Sequence, residues 1–205
     1  AQHFSKIPVQ PALDNDGNWI SIKVEFPGRT LFARVWKVKI GIIDLYLLDT
    51  DHTDNEESDR SVTHHLYGGD NENRLKQEML LGIGGIRALN KMGYNSDVYH
   101  CNEGHAAFIG LERIVDLTTK FKLTYAEAKE VVRASTVFTT HTPVPAGHDS
   151  FHIDMFRHYM GGFPSKIGLS WEEFMKLGKA RENEDHFNMS YLACNLSQGI
   201  NGVSM

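Results

Sequence analysis

The first cluster of polar residues lies in the string HCNEGHAAF, residues 100–108. Their side chains could orient a ligand or exchange protons with it. Glu103 could act as an acid or a base, and His100 and His105 could bind a ligand or titrate near neutral pH. The spacing of the two histidines does not match the helical i, i+4 pair of a zinc protease, so no metal site is predicted. A simpler alternative is that Asn102 and Glu103 cap the following helix.

A second polar cluster lies in the string TTHTPVPAGHD, residues 139–149. Two prolines and a glycine predict a rigid loop that holds His141, Thr142 and His148 in fixed places. The alternative is a loop with only a structural role.

A third cluster, LYGGDN, occupies residues 66–71. Its glycine pair allows close approach of backbone to a ligand, while Asp70 offers an acceptor and Asn71 an amide to sugar hydroxyls. The alternative is a turn followed by a helix N-cap. The string RLKQE that follows, residues 74–78, is typical of a solvated or ion-paired helix face rather than a phosphate site.

The first two clusters must be positioned by a strand, helix, strand unit. The string DVYHCNE predicts a short strand, residues 124–133 predict a helix, and STVFTTHT predicts a second strand. Another helix is predicted between the first strand and residue 124, because apolar residues recur there at helical spacing: Ala106, Ile109, Leu111, Ile114 and Leu117. This order implies parallel strands, and ligands bind at the carboxyl edge of such sheets. Both clusters are therefore expected at that edge.

The first fifty residues are predicted to be β-rich. Ile20, Ile22, Val24 and Phe26 alternate with polar neighbours, and residues 31–40 alternate as well. The nearly continuous apolar run of residues 41–50 predicts a strand covered on both faces. We therefore divide the chain into a β-rich segment, residues 1–50, and an α/β part, residues 51–205.

Two features are predicted within the α/β part. A helix should begin near Arg74, pass through Gly84 and Gly85, and end at Gly93, with a close-packing reason for the glycine pair. Beyond residue 151 short helices are expected, one of them capped by Ser170. The fold class is α/β.

Composition excludes several classes of protein. The chain has 41% hydrophobic and 23% charged residues, a net charge of −5 and no cluster of Lys and Arg, so nucleic acid is not an expected partner. No apolar run approaches the roughly 20 residues of a membrane helix. The two cysteines, Cys101 and Cys194, fit reduced thiols in a cytoplasm better than a disulfide framework.

Several strings occur here in one order: LYGGDN with RLKQE, GIGGIRAL, HCNEGHAAFIGLERI, THTPVPAGHD and NGVS. Together they resemble the N-terminal half of α-glucan phosphorylases, and most closely the shorter bacterial and archaeal branch of that family. The resemblance covers essentially the whole chain. It implies a partial Rossmann-like lobe of the glycosyltransferase B type fold, preceded by the β-rich segment, with the C-terminal cofactor lobe outside this chain.

The resemblance also implies an activity. Members of the family cleave the non-reducing end of an α-1,4-glucan with inorganic phosphate, release glucose 1-phosphate and use pyridoxal phosphate. The cofactor lysine and the phosphate-binding residues have no counterpart in this sequence, so no complete catalytic set, no cofactor-binding residue and no metal ligand is assigned. The segment alone is expected to be inactive and to hold no cofactor. The expected partners are glucan, phosphate and the C-terminal lobe, in a cytoplasmic enzyme whose oligomeric state stays open.

The site residues that the resemblance implies are all candidates for substrate binding. Asp70 and Asn71 match the family's gating loop, although the longer insertion of the animal enzymes is missing here. His105 and His141 match histidines near the bound glucose, and Glu103 stands where the animal enzymes have aspartate. The full set is Asp70, Asn71, Asn102, Glu103, His105, His141 and Thr142.

Three other functions remain open from the sequence. A nucleotide-sugar glycosyltransferase of the glycogen synthase type shares the architecture. A metal-dependent hydrolase would use some of the eleven histidines. A non-catalytic glucan-binding module would bind maltodextrin without any second lobe.

Overall fold

The computed structural model describes residues 8–66, 69–142, 148–181 and 183–203. The chain divides into two compact units: unit 1 comprises residues 1–80 and 84–95, and unit 2 comprises residues 81–83 and 96–205. Both helices and strands are present, which confirms the α/β class. The predicted division of the chain into residues 1–50 and 51–205 stays a prediction.

Unit 1 contains a four-stranded antiparallel sheet. Its strands are β1 (Gln10–Pro11), β2 (Ser21–Phe26), β3 (Arg29–Ile40) and β4 (Ile43–Asp49), and β3 pairs with each of the other three. Ile22, Val24 and Phe26 are buried on one face of β2, as their alternation predicts. The turn from β2 to β3 passes through Gly28 at φ +69°, a conformation that glycine adopts without strain.

The prediction that residues 41–50 form a strand covered on both faces is half wrong. The strand β4 forms, but Ile43, Leu45 and Leu47 are 64%, 42% and 41% exposed. The reason is that these side chains alternate onto one face of an antiparallel sheet, which needs cover on only one side. A continuous apolar run does not distinguish this arrangement from a strand in a doubly covered parallel sheet.

The helical part of unit 1 follows a short helix α1 (Glu57–Arg60). It consists of α2 (Asn71–Met79) and α3 (Gly85–Lys91), and α3 ends before Gly93 at φ +75°. Between them along the chain lies one π-helical turn, Leu80–Gly84, whose residues 81–83 belong to unit 2. A Cβ on Gly84 would lie 3.0 Å from Ile22 Cδ1, whereas a Cβ on Gly85 would meet nothing within 4 Å. The predicted close-packing reason therefore applies to Gly84 and not to Gly85.

Unit 2 is built around a parallel sheet in the order β5–β6–β9. The strands are β5 (Tyr99–Asn102), β6 (Thr136–Thr140) and β9 (Gly199–Gly202). Two helices, α4 (Phe108–Lys120) and α5 (Tyr125–Ala134), connect β5 to β6, which confirms the predicted strand, helix, strand unit. A capping box of Thr124 with Glu127 fixes the start of α5.

The rest of unit 2 packs around a cluster of aromatic rings. Its elements are a two-stranded ribbon of β7 (Ser150–His152) and β8 (His186–Asn188), and the helices α6 (Ile153–Met160), α7 (Trp171–Met175) and α8 (Met189–Asn195). Phe156 stacks on Phe187 with ring centroids 4.0 Å apart and lies 6.1 Å from Phe174. The predicted short helices and the Ser170 cap are confirmed, whereas the ribbon was not predicted.

No helix in the described part of the chain is long and apolar enough to cross a membrane.

Candidate substrate-binding site

The carboxyl ends of the three parallel strands in unit 2 meet at one edge of the sheet. Asn102 at the end of β5 pairs with Thr139 of β6, and Thr140 at the end of β6 pairs with Gly202 of β9. The loops that leave these strands therefore start side by side. This is the edge at which parallel sheets bind ligands, and it brings together the first two polar clusters of the sequence.

Glu103 adopts a backbone conformation that is unusual for a residue with a side chain. Its φ is +66° and its ψ is 171°, in a region populated almost only by glycine. The Glu103 N–H donates to Thr139 O at 2.9 Å, which ties the strained residue to β6. Backbone strain of this kind costs about 1–3 kcal/mol and persists only where surrounding contacts impose it.

The Glu103 carboxylate binds the chain that leaves β6. Oε1 accepts from His141 N at 2.6 Å and from Thr142 Oγ1 at 3.2 Å, while Oε2 accepts from Thr140 Oγ1 at 3.3 Å. Glu103 makes no side-chain hydrogen bond to the helical turn that follows it. Glu103 therefore occupies the N-cap position of this turn but does not cap it through its side chain, because the carboxylate crosses to the neighbouring strand instead.

The imidazole of His141 is oriented by Asn102. Its Nε2 lies 2.7 Å from Asn102 Oδ1, and since an amide oxygen only accepts, Nε2 carries the proton. In the neutral ring Nδ1 is then an acceptor, the group required to receive a hydrogen bond from a hydroxyl. Both side chains are exposed at the sheet edge. Asn102 thus orients a neighbouring side chain and, like Glu103, does not cap the next helix through its side chain.

A second chain of hydrogen bonds crosses the sheet. His100 Nε2 lies 2.7 Å from Thr139 Oγ1, and Thr139 Oγ1 donates to Asn201 Oδ1 at 2.8 Å. Because the threonine proton goes to Asn201, the His100 ring is the donor to Thr139. This network connects all three strands just below the loops. Asn201 was not among the predicted site residues, although it lies in the NGVS string that forms part of the resemblance.

His105 lies in the turn of 3₁₀ helix Gly104–Ala106, directly after Glu103, and is half-buried. A Cβ on Gly104 would lie 3.0 Å from Ser190 N, so glycine at this position allows α8 to approach the turn. The hydroxyl of Ser190 also lies 2.8 Å from His148 Nδ1. The predicted rigid loop between Thr142 and His148 falls on residues 143–147, which lie outside the described residues.

The third cluster belongs to unit 1 and has a different geometry. Asp70 is the N-cap of α2, and its Oδ1 accepts from Asn73 N at 2.8 Å, as the capping alternative predicts. Asn71 is the first residue of this helix and is exposed. Gly68 of the predicted glycine pair lies outside the described residues. A role of Asp70 and Asn71 in sugar binding stays a prediction.

The RLKQE string forms an ion-paired helix face, as predicted. Arg74 Nε lies 3.1 Å from Glu78 Oε1, and Lys76 Nζ lies 3.7 Å from Asp59 Oδ1. Among the described residues no group of three or more His, Cys, Asp or Glu side chains is arranged to hold a metal ion.

Comparison with known proteins finds relatives of this chain. No family model matches the chain. It is 42% identical to a glycogen phosphorylase of Mycobacterium tuberculosis, an alignment that covers 97% of this chain and 24% of that relative. It is 41% identical to a maltodextrin phosphorylase of Thermococcus litoralis, over 97% of this chain and 23% of the relative. A glycogen phosphorylase of Aquifex aeolicus is 31% identical over 97% of this chain and 29% of its own length.

The chain therefore spans about a quarter of the length of the curated relatives it matches. The agreement of three separate relatives over nearly all of this sequence confirms the resemblance inferred from the ordered motifs. Over 97% of its length, this chain is homologous to glycogen and maltodextrin phosphorylases.

Proposed function

We propose that this chain forms part of the glucosyl-binding wall of an enzyme that uses inorganic phosphate to release glucose 1-phosphate from an α-1,4-glucan. The names of its relatives support the substrate and the reaction. The observation that carries the proposal is the sheet edge itself, where Glu103 fixes the backbone of His141 and the hydroxyl of Thr142. The parallel sheet with its connecting helices supports assignment to a Rossmann-like lobe of the glycosyltransferase B type.

Recognition of a neutral sugar needs fixed donors and acceptors rather than a strong nucleophile. The Nδ1 of His141 offers an acceptor, because Asn102 holds the proton of the ring on the other nitrogen. The carboxylate of Glu103 already accepts three hydrogen bonds from residues 140–142. We therefore assign His141 and Thr142, with His105, to substrate contact, and Asn102 and Glu103 to positioning. Asp70 and Asn71 remain proposed substrate ligands on the evidence of the resemblance.

Pyridoxal phosphate does not fit the residues of this edge. The cofactor needs a lysine for its Schiff base and cationic groups near its phosphate. The segments that form the edge, residues 99–105, 136–142 and 199–203, contain neither lysine nor arginine. We propose that the cofactor and the groups that bind inorganic phosphate come from other parts of the protein, so that this segment by itself has no phosphorylase activity.

The cysteines support a reducing location such as the cytoplasm. Both Cys101 and Cys194 are free thiols. Burial raises the pKa of Cys101 to about 11, so its thiol stays protonated at neutral pH and is a poor nucleophile.

The test is phosphorolysis of maltoheptaose by the full-length protein, followed as glucose 1-phosphate released with and without added pyridoxal phosphate. The variant His141→Ala is expected to lower kcat/KM by about 100-fold, because misplacement of one substrate contact costs this much. His158→Ala is the control, since His158 is exposed on α6 and is not part of the sheet edge.

Three outcomes would contradict the proposal. Unchanged activity in His141→Ala would remove the sheet edge from the substrate site. Consumption of a nucleotide sugar in place of phosphate would favour the synthase-like alternative. Maltodextrin binding without any turnover would favour a glucan-binding module.

A further inference from the structure

A cavity in unit 2 shares no residue with the sheet edge. It has a volume of about 780 Å³ and lies between α6, α7 and the segment of residues 176–181. This size falls within the range of small-molecule sites. Neither the family relationship nor the proposed function requires a ligand at this place.

The floor of the cavity is apolar and firmly held. We use this term for the less exposed apolar residues that line the cavity: Ile153, Trp171 and Met175. The Trp171 ring lies 6.2 Å from Phe156 and 6.0 Å from Phe174, so its inner side packs against the aromatic cluster of unit 2. The capping box at the start of α7 fixes the helix that carries both Trp171 and Met175. The floor is therefore preformed.

The rim of the cavity is cationic. Arg157, Lys176, Lys179 and Arg181 line it together with a single carboxylate, Glu172. This is unexpected in a chain whose net charge is −5. Four cations around one concave surface raise the local concentration of anions.

Cations elsewhere in the described structure are commonly neutralised by a carboxylate. Examples are Lys37 with Asp44 at 2.9 Å and Arg87 with Glu25 at 2.9 Å. In contrast, Arg157, Lys179 and Arg181 have no carboxylate within 4.0 Å among the residues that the structure describes. Cations without a carboxylate partner in this part of the structure attract anions from solution. The guanidinium of Arg157 also lies 5.3 Å from the centroid of the Trp171 ring, so one wall combines a flat apolar face with a charge.

We propose that this cavity binds a small phosphate-bearing ligand whose ring packs against Trp171. Arginine is well suited to phosphate, because its guanidinium donates two parallel hydrogen bonds to phosphate oxygens. A neutral sugar would use the aromatic floor but would leave the cationic rim without a role. A sugar phosphate and a nucleotide share the required chemistry and differ in the ring that they present to Trp171.

Calorimetric titration of the full-length protein tests the proposal with four probes: pyrophosphate, ribose 5-phosphate, adenosine diphosphate and neutral maltotriose. Saturable binding of at least one phosphate probe is expected. The variants Arg157→Gln and Arg181→Gln should each raise its Kd by about tenfold, since each loses a charge-assisted hydrogen bond. Lys122→Gln is the control, because Lys122 is exposed in the same unit and does not line the cavity.

The ring is tested separately. Trp171→Leu should weaken the binding of whichever ring-bearing probe binds and leave pyrophosphate binding unchanged. Comparison of the Kd values for ribose 5-phosphate and adenosine diphosphate distinguishes a sugar phosphate from a nucleotide. Thermal unfolding of each variant shows whether it folds, and Arg181→Gln, an exposed side chain outside the helices, serves if Arg157→Gln does not.

The proposal is overturned by any of three results. One is the absence of saturable binding by all three phosphate probes. Another is binding that survives both arginine variants but is lost in His141→Ala, which would place the anion at the sheet edge. The last is tight maltotriose binding that the arginine variants do not change. None of these results depends on whether the protein has phosphorylase activity.

Discussion

The two units of this chain use their carboxylates in different ways. In unit 1, Asp70 caps the helix that begins at the next residue, and the buried Asp59 pairs with Arg29. Both contacts stabilise the fold around them. In unit 2, Glu103 accepts hydrogen bonds from residues 37 to 39 positions further along the chain. It does so from a backbone conformation that disfavours every residue except glycine.

This difference separates structural carboxylates from positioning ones. The contacts of Asp59 and Asp70 each stabilise the local fold. The contacts of Glu103 differ, because its backbone strain opposes the stabilisation that its own hydrogen bonds provide. Strained residues persist where the surrounding structure fixes them and are frequent at functional sites. The comparison therefore predicts that changes at Asp59 and Asp70 alter stability, whereas changes at Glu103 alter activity.

The largest effect on stability is expected for Asp59→Asn. Arg29 binds Asp59 through two hydrogen bonds, of 2.5 and 2.9 Å, and the Asp59 side chain is 2% exposed. Asp59→Asn removes the buried charge that pairs with Arg29, and the cost should fall below the usual 3–5 kcal/mol because Arg29 is 25% exposed and keeps Glu56 and Pro27 O nearby. Hydrogen exchange of the amides of residues 50–66 should report a local opening that is easier by about 2–3 kcal/mol.

The same pair predicts a pH dependence. Hydrogen bonds from Arg29 hold the pKa of Asp59 below its ordinary value of 3.8. The stabilisation is therefore complete above this ordinary value and is lost as the pH falls below it, through the lowered pKa. The protection of the amides in residues 50–66, relative to their intrinsic exchange rates at each pH, should fall in that acid range in the parent protein. Asp59→Asn should lack this part of the acid dependence, and an identical acid limb in the variant would show that another group is responsible.

The next effect is a loss of activity in Glu103→Gly that stability does not follow. Glycine is unstrained at φ +66°, so about 1–3 kcal/mol of strain is relieved, which offsets part of the loss of three hydrogen bonds at this partly exposed edge. The melting temperature should therefore fall less than the loss of the hydrogen bonds alone would cause. The anchor of His141 and Thr142 is gone, however, and kcat/KM for phosphorolysis of maltoheptaose should fall by about 100-fold.

The matched variant Glu103→Gln refines this result. Its amide oxygen can still accept from His141 N, so a smaller loss of about tenfold is expected. Full activity in Glu103→Gly would show that Glu103 does not position His141 and Thr142 for catalysis. A parallel loss of stability and activity would make Glu103 a structural residue like Asp59.

Much of the frame around Glu103 could be predicted from the sequence. The strand, helix, strand order fixes two parallel strands, and it places residues 100–105 and 139–142 at one edge. The conformation of Glu103 could not be predicted, because nothing in its neighbourhood marks a non-glycine residue at positive φ. Capping was the natural local interpretation, and it failed because a contact with a distant strand replaced it.

The third strand of the sheet and the exposed face of β4 were missed for other reasons. The strand β9 has the sequence GING, with two glycines and no alternation of apolar residues, and only its pairing with β6 makes it a strand. In β4 the apolar run predicts a strand correctly, yet the extent of its cover depends on neighbours that a local pattern does not contain.

The smallest expected effect separates the two roles proposed for Asp70. Asp70→Ala removes the cap of α2 and should cost about 1 kcal/mol, seen as faster amide exchange in residues 71–75. Asp70→Ser restores a capping oxygen and should restore that protection, but it lacks the carboxylate that a sugar hydroxyl would meet. If Asp70 only caps the helix, Asp70→Ser has the activity of the parent protein and belongs with Asp59. If it also binds glucan, as the family resemblance implies, Asp70→Ser keeps the helix and raises KM for maltoheptaose. The contrast between the units would then lie in backbone strain alone, and not in which carboxylates contact the substrate.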